Sequence, residues 1–268
     1  MSRLSLAFDT PDLAQHYEQA SVDRQFKAGK ELIERLQIQP GAHVLDVGAG
    51  TGLLAEHVAS LVGKSGAVTG VDPLPLRIEI AKRKARANLD FAVGNAYDLG
   101  GFAPGSFDVV YLNAVFHWLP DKVAPLASFF RLLKSGGRLG ISTGSKEHVA
   151  RLQAIKGEVL ARAPYNQYVE PEAGVSHRVS AAELRGLLEQ TGFEVSSIEI
   201  VPNVIVHASP EAAIQHSQAS SFGNFLGHLP ENLREQARAD ILRELEKHRT
   251  AEGYRQESAR IFAVARKP

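Results

Sequence analysis

Three glycines, Gly48, Gly50 and Gly52, crowd the string "VLDVGAGTG", with Asp46 just ahead of them and Asp72 ending the later apolar run "VTGVD". Glycine lets a chain bend tightly and lets a ligand approach main-chain atoms that a Cβ would screen. A carboxylate at the end of the following strand can accept both hydroxyls of a ribose. Turn and carboxylate together point to an adenosine-containing ligand.

The same spacing excludes other ligands. A dinucleotide turn of the form G-x-G-x-x-G needs glycine where Leu53 stands, so a pyrophosphate has no obvious seat. "LVGKSG" resembles a phosphate-binding loop only until Val58, where glycine is required; Gly63 instead reads as the stop of the preceding helix. Zero cysteines remove disulfides, thiolate nucleophiles and zinc-thiolate sites, and no metal is expected. With 30 basic and 30 acidic side chains the formal net charge is +0, which gives no general pull toward nucleic acid or membranes. The basic run "RIEIAKRKARAN" interleaves Ile78, Ile80 and Ala81 at helical spacing and reads as a solvated helix face. No apolar run approaches the roughly 20 residues that span a bilayer, and "MSRLSLAFDTPDLAQHY" lacks the layout of a signal peptide, so the cytoplasm is the expected compartment.

The elements that must position these residues alternate. Short apolar runs, "AHVLDVG", "GAVTGVD", "LDFAVGN", "FDVVYLN" and "GGRLGIST", are separated by helical patterns over Leu53 to Val62, Leu76 to Ala87 and Lys122 to Leu133. That is βαβ logic, predicting an α/β fold with a mainly parallel sheet and ligands at the carboxyl edge of its strands. A helix and strand follow in "SAAELRGLLEQTGFEVSSIEIV", with Gly192 closing the helix. Two further helices, "PEAAIQHSQAS" and a second opened by Pro230, precede a closing strand "SARIFAVARKP". The pattern reads as a single domain over 1–268 with cap elements at 1–30, 146–178 and 210–250.

"VLDVGAGTG", "VDP", "VGNAYDL", "FDVVYLNAVFHWLPD" and "LKSGGRLGIST" resemble the successive motifs of class I S-adenosylmethionine-dependent methyltransferases, and "FHWLPD" resembles the small-molecule branch that includes trans-aconitate, malonyl-carrier and quinone-precursor enzymes. The resemblance is close over roughly residues 40 to 145. It implies a Rossmann-like three-layer sandwich with a seven-stranded sheet in the order 3-2-1-4-5-7-6, the last strand antiparallel, and a helical cap. It implies S-adenosyl-L-methionine as cofactor and S-adenosyl-L-homocysteine as product. Carried over by position, Asp46 and the turn of Gly48, Ala49, Gly50 and Gly52 would hold the methionine part. Asp72 would bind the ribose, Pro73 and Leu74 would pack on the adenine, and Asn95 and Ala96 would meet its edge. Asn95 stands where many relatives have aspartate; its amide oxygen can still accept from the adenine amine. Asn113 would lie near the transferred methyl, and Tyr17 and Gln25 in an amino-terminal helix over the cofactor.

Methyl transfer from a sulfonium is an in-line displacement, so alignment in a dry site is the protein's main task. A hydroxyl or amine acceptor also needs a base, and His117, just past the fourth strand, is the first candidate for catalysis; packing beneath the sheet edge is its structural alternative. On the substrate side, Tyr165, Tyr168, Phe222 and Phe225 could line an apolar pocket or form the cap's own small core, and Arg178 could pair with an acidic substrate or lie on the surface. "SSFGNFLGHLP" is expected to form a substrate-side lid. The leading function is O-methylation of a small organic acid or hydroxylated metabolite. C-methylation, a tRNA or protein acceptor, and cofactor binding without transfer are the alternatives; arsenite methylation is set aside because it relies on cysteines. No nucleic-acid or membrane partner is expected, and the oligomeric state is open.

Overall fold

The computed structural model describes residues 25–168, 176–221 and 225–268. A first helix, α1, is described over 25–36. Then follow β1 (His43–Val47), α2 (Leu53–Val62), β2 (Ala67–Asp72), α3 (Pro75–Lys82), β3 (Leu89–Val93), β4 (Phe107–Asn113), α4 (Val123–Leu132) and β5 (Leu133–Gly144). The remainder is α5 (Arg151–Leu160), α6 (Ala181–Gln190), β6 (Glu194–His207), α7 (Pro210–Ser220), α8 (Glu231–Glu246), β7 (Arg249–Thr250) and β8 (Gly253–Arg266).

The sheet order is β3-β2-β1-β4-β5-β8-β6, parallel from β3 through β5, with β8 antiparallel to both its neighbours. This is the expected order, with β8 in the seventh strand's place. The expected count of seven becomes eight because Arg249–Thr250 folds back on the start of β8, with Gly253 at φ 114° in the turn. α1, α2 and α3 cover one face with Leu32, Leu36, Val58 and Ile78 on Val44, Val68 and Val109. α4 and α6 cover the other with Leu126, Phe129 and Leu184 on Leu45, Val110 and Ile141. Sheet residues buried on both faces explain why these strands read as near-continuous apolar runs.

Two differences from the sequence expectation shape the site. α3 ends at Lys82 instead of continuing to Ala87, because Arg86 and Leu89 exchange backbone hydrogen bonds of 3.0 and 2.8 Å that close a tight turn. β6 and β8 are each 14 residues long, far beyond their apolar stretches. They pair from Glu194↔Arg266 to His207↔Tyr254, whereas β5 accompanies β8 only as far as Gly144↔Arg260. The pairs beyond Arg260 form a two-stranded arm projecting past the carboxyl edge of the sheet. On it sits a third apolar cluster of Leu152, Ile155 and Val159 from α5, Ala213 and Ile214 from α7, and Ala237, Ile241 and Leu245 from α8. Among the described residues no helix is long and apolar enough to cross a membrane.

Candidate functional site

The turn after β1 is set by strand register. Asp46 lies opposite Gly70 of β2 and Tyr111 of β4. The Tyr111 hydroxyl donates to Asp46 Oδ2 at 2.7 Å. Burial pushes the Asp46 carboxyl up to about 7, against the lowering effect of the Tyr111 bond, and Asp72 adds to the rise. After Val47 the chain bends through Gly48 (φ 83°) and Gly52 (φ 85°), and Gly48 N and Ala49 N both donate to the Val71 carbonyl at 2.7 and 3.0 Å. A Cβ on Gly48 would overlap Val115, and one on Gly52 would come within 2.7 Å of Phe91. The two glycines therefore serve the protein's own packing as well as leaving a ligand room, which corrects the simpler sequence argument.

Asp72, only 7% exposed, spans this turn and the next: Oδ2 accepts from Gly50 N and Oδ1 from Leu74 N, both at 2.9 Å. Pro73 is half-buried and Leu74 buried beside it. Asn95 is exposed and its Oδ1 already accepts from Tyr97 N at 2.8 Å, while Ala96 is buried in the core. Asn113 is half-buried and lines the space below α1. Its Nδ2 donates to the Gln25 carbonyl at 2.9 Å and fastens the start of α1 over the turn. What remains between α1 and the turn is a cavity of about 40 Å³ lined by Gln25, Phe26, Asp46, Gly48, Ala49 and Asn113, with Thr51, Leu53 and Leu54.

A second cavity of about 740 Å³ opens beside it, under the β6–β8 arm, and shares Gln25 with the first. Ala114 adopts φ 60° at the end of β4, an uncommon conformation for a residue with a Cβ. It throws Val115 against Gly48 and starts the short turn Phe116–Trp118. Lys122 staples that turn by donating to the Phe116 and Leu119 carbonyls at 3.0 and 2.6 Å; burial lowers its ammonium to about 8. His117 thereby enters the cavity wall, with Nδ1 hydrogen-bonded to Thr143 Oγ1 at 3.0 Å. Burial first, then the nearby Arg178, Arg260 and Lys122, hold its imidazole well below the ordinary histidine range, so it is neutral at pH 7.

Arg178, Tyr168 and Phe225 also line this cavity. Tyr165 does not: its ring is buried in the cap cluster and its hydroxyl donates to Asp240 at 2.6 Å, which with burial raises the phenol to about 12. Tyr17 and Phe222 lie outside the described residues. Of the expected lid, Phe225, Leu226 and Leu229 are buried in the same cluster. The wall mixes apolar side chains with cations, so of the two readings of the aromatic residues Tyr168 and Phe225 line the cavity while Tyr165 belongs to the cap's core. Arg260 was missed by the sequence reading. Its Nη1 donates to Ser142 Oγ at 2.9 Å and lies 3.5 Å from Asn113 Oδ1, at the junction of the two cavities. Its place at the start of the apolar run "IFAVA" of the closing strand was the signal available in the sequence.

Residues 45–141 match the family described as the methyltransferase domain. The ubiquinone biosynthesis O-methyltransferase of Xanthomonas euvesicatoria pv. vesicatoria is 32% identical over 59% of this chain and 65% of its own length. That of Xanthomonas campestris pv. campestris (strain B100) is 37% identical over 46% of this chain and 52% of its own. The chain thus spans between half and two thirds of these relatives. Among solved structures, the YcgJ protein of Bacillus subtilis superposes with a TM-score of 0.63 at 17% identity, covering 90% of this chain and 98% of that one. The [4+2]-cyclase SpnF does so with 0.58 at 20% identity over 91% and 81%. The fold by itself therefore does not name a reaction. A buried carboxyl, a glycine turn and a carboxylate at the end of β2 are compatible with S-adenosylmethionine, and over residues 45–141 this chain is similar to the methyltransferase domain.

Proposed function

We propose that the chain, acting as one domain over 1–268 in the cytoplasm, methylates a small molecule at oxygen. The observation that carries this reading is the junction of the two cavities. The small one holds the turn and Asp46, the large one has the volume of a metabolite site, and they meet at Gln25. A bound S-adenosylmethionine supplies an electrophilic methyl on a sulfonium. Asp46 would hold its ammonium and Asp72 its ribose. Asn113 and Arg260 stand where the methyl would face the large cavity. His117 stays neutral and ready to take a proton from a hydroxyl, with Nδ1 held by Thr143 so that Nε2 is the ring atom left for substrate. A deep, partly open cavity under a cap suits a metabolite better than a nucleic acid or a protein surface.

The experiment is incubation with methyl-labelled S-adenosylmethionine and a metabolite extract. The expected result is one labelled small product and formation of S-adenosylhomocysteine, both reduced at least about 100-fold in His117→Ala with cofactor affinity nearly intact. Cofactor binding without any transfer to extract, RNA or protein would leave a binding protein and refute the reading.

A further inference from the structure

The large cavity is walled by cations. Arg178, Arg260, Lys146 and Lys156 line it, and among the described residues no aspartate or glutamate does. Lys146 is partnered by Glu183 at 2.7 Å on the surface, so it adds little to the interior. Arg178 is different. Its guanidinium lies against the backbone of Gly144, where a Cβ would come within 3.3 Å of Cζ. Its described hydrogen bond is a long one, 3.4 Å from Nη1 to the Ser145 carbonyl, and no described carboxylate lies within ion-pair distance. Arg178 is half-buried, and withdrawing a guanidinium even partly from water with no counter-charge among the described residues is unfavourable; burial accordingly weakens its hold on its proton. Its planar fork matches the two oxygens of a carboxylate or phosphate.

Arg178 is also fixed next to the proposed base. His177 N donates to the His117 carbonyl at 2.7 Å, and Val179 bridges to Ser145, so the segment carrying Arg178 is pinned on both sides to the wall that carries His117. We propose that the acceptor is a hydroxylated anion, whose carboxylate or phosphate seats on Arg178 and whose hydroxyl meets His117. This deepens the methyl-transfer reading and rests on it. The seated anion is the anchor and not the nucleophile, because a carboxylate engaged by a guanidinium has its charge already drawn off, and its methylation would leave His117 without a task. Burial is the main reason the imidazole resists a proton, and the anion offsets the positive field of Arg178 and Arg260 that adds to it. In the step, the hydroxyl proton passes to Nε2 and an oxygen lone pair forms the bond to the methyl carbon. The electron pair of the broken carbon–sulfur bond stays on sulfur. The substrate is thus a compact hydroxy acid or hydroxylated phosphate.

The test has two arms, both on the whole chain. In the first, melting midpoints are recorded with 4-hydroxybenzoate, phenyl phosphate and the neutral 4-hydroxybenzamide at equal ionic strength, for wild type and Arg178→Gln. The expected result is stabilisation of the wild type by an anion but not by the amide, weakened at least tenfold in concentration dependence by Arg178→Gln. That variant should melt no lower than wild type without ligand, since no carboxylate among the described residues pairs with the charge it removes. The better of carboxylate and phosphate identifies the anchor group. No anion-specific shift, or a shift that survives Arg178→Gln, overturns the anchor, and this readout needs no methyl transfer. In the second arm the labelled product from extract is passed over an anion exchanger and examined by NMR. A retained methyl ether supports the proposal. A methyl ester releasing labelled methanol in mild alkali, a C-methyl product, or an unretained neutral product overturns it. Absence of any labelled product with the first arm positive faults the transfer reading and leaves the anion site standing.

Discussion

Asp46 and Gly48 are the residues at which the site's chemistry is most exposed to measurement. Because burial raises the Asp46 carboxyl to about 7 from its ordinary 3.8, the folded protein binds more protons here than the unfolded chain between those values. Through this group, stability declines as pH rises from about 4 to about 7. An ammonium seated on Asp46 favours the ionised form, so cofactor binding should expel close to one proton at pH 6 and almost none at pH 8.5. Calorimetry at pH 6 in two buffers of different ionisation enthalpy reads that proton directly; heats independent of buffer would remove Asp46 from the ammonium site. Gly48→Ala would combine a positive φ with an overlap on Val115. It should cost about 2 to 4 kcal/mol in denaturant unfolding. Gly48→Ala combined with Val115→Ala should recover a substantial part of that loss, since the two sites touch. Additive losses would show that steric overlap is not the cause. Asp72 accepts two backbone N–H groups as well as serving the proposed ribose, so Asp72→Ala should weaken cofactor binding by at least about 2 kcal/mol and lower stability together.

At the scale of elements, α1 is the part that must respond to the cofactor. Its beginning lies over the turn, held by the Asn113 to Gln25 bond and by Phe26 against His57 at 5.8 Å, and the 40 Å³ beneath it is far too small for a nucleoside. Its other end is core, with Leu32 and Leu36 both at 0% exposure. Hydrogen exchange should therefore change on S-adenosylhomocysteine binding over residues 25–29 and stay constant over 32–36. A uniform response along the helix would mean that α1 moves as a rigid body. An amino-terminal helix over the cofactor was implied by the family resemblance and not by the residue pattern, and its tie to β4 was not foreseen, because that depends on where the Asn113 side chain ends up after β4 and α1 have packed.

For the whole molecule, the β6–β8 arm joins cap stretches that are remote in sequence into one cluster and holds it above the sheet edge. Ile241 is fully buried in that cluster, away from the turn. Ile241→Ala should cost about 2 to 4 kcal/mol. It should also impair substrate turnover while leaving S-adenosylhomocysteine affinity within about twofold. Equal loss of both affinities would show that cap and sheet behave as one cooperative unit with respect to ligand binding.

The mainly parallel sheet and the glycine turn were readable from residue order alone, because βαβ periodicity, strand-end carboxylates and glycine spacing are local signals, whereas the order of the strands came only with the family resemblance. Asp46, Asp72 and His117 were each recognisable by type and position for the same reason. What packing decided was which partner each one found: Tyr111 for Asp46, two backbone N–H groups for Asp72, Thr143 for His117. Packing also decided that Tyr165 belongs to the cap's interior and that Arg260, one of three arginines in β8, faces the cavity. A strand's alternation says only that a side chain leaves one face of the sheet. Whether that face meets a helix, a cap or an open cavity depends on the length of the β6–β8 arm, and the backbone pairing that extends it, from Pro202↔Ala259 to His207↔Tyr254, joins the apolar end of β6 to a polar stretch of β8 with no matching pattern to announce it.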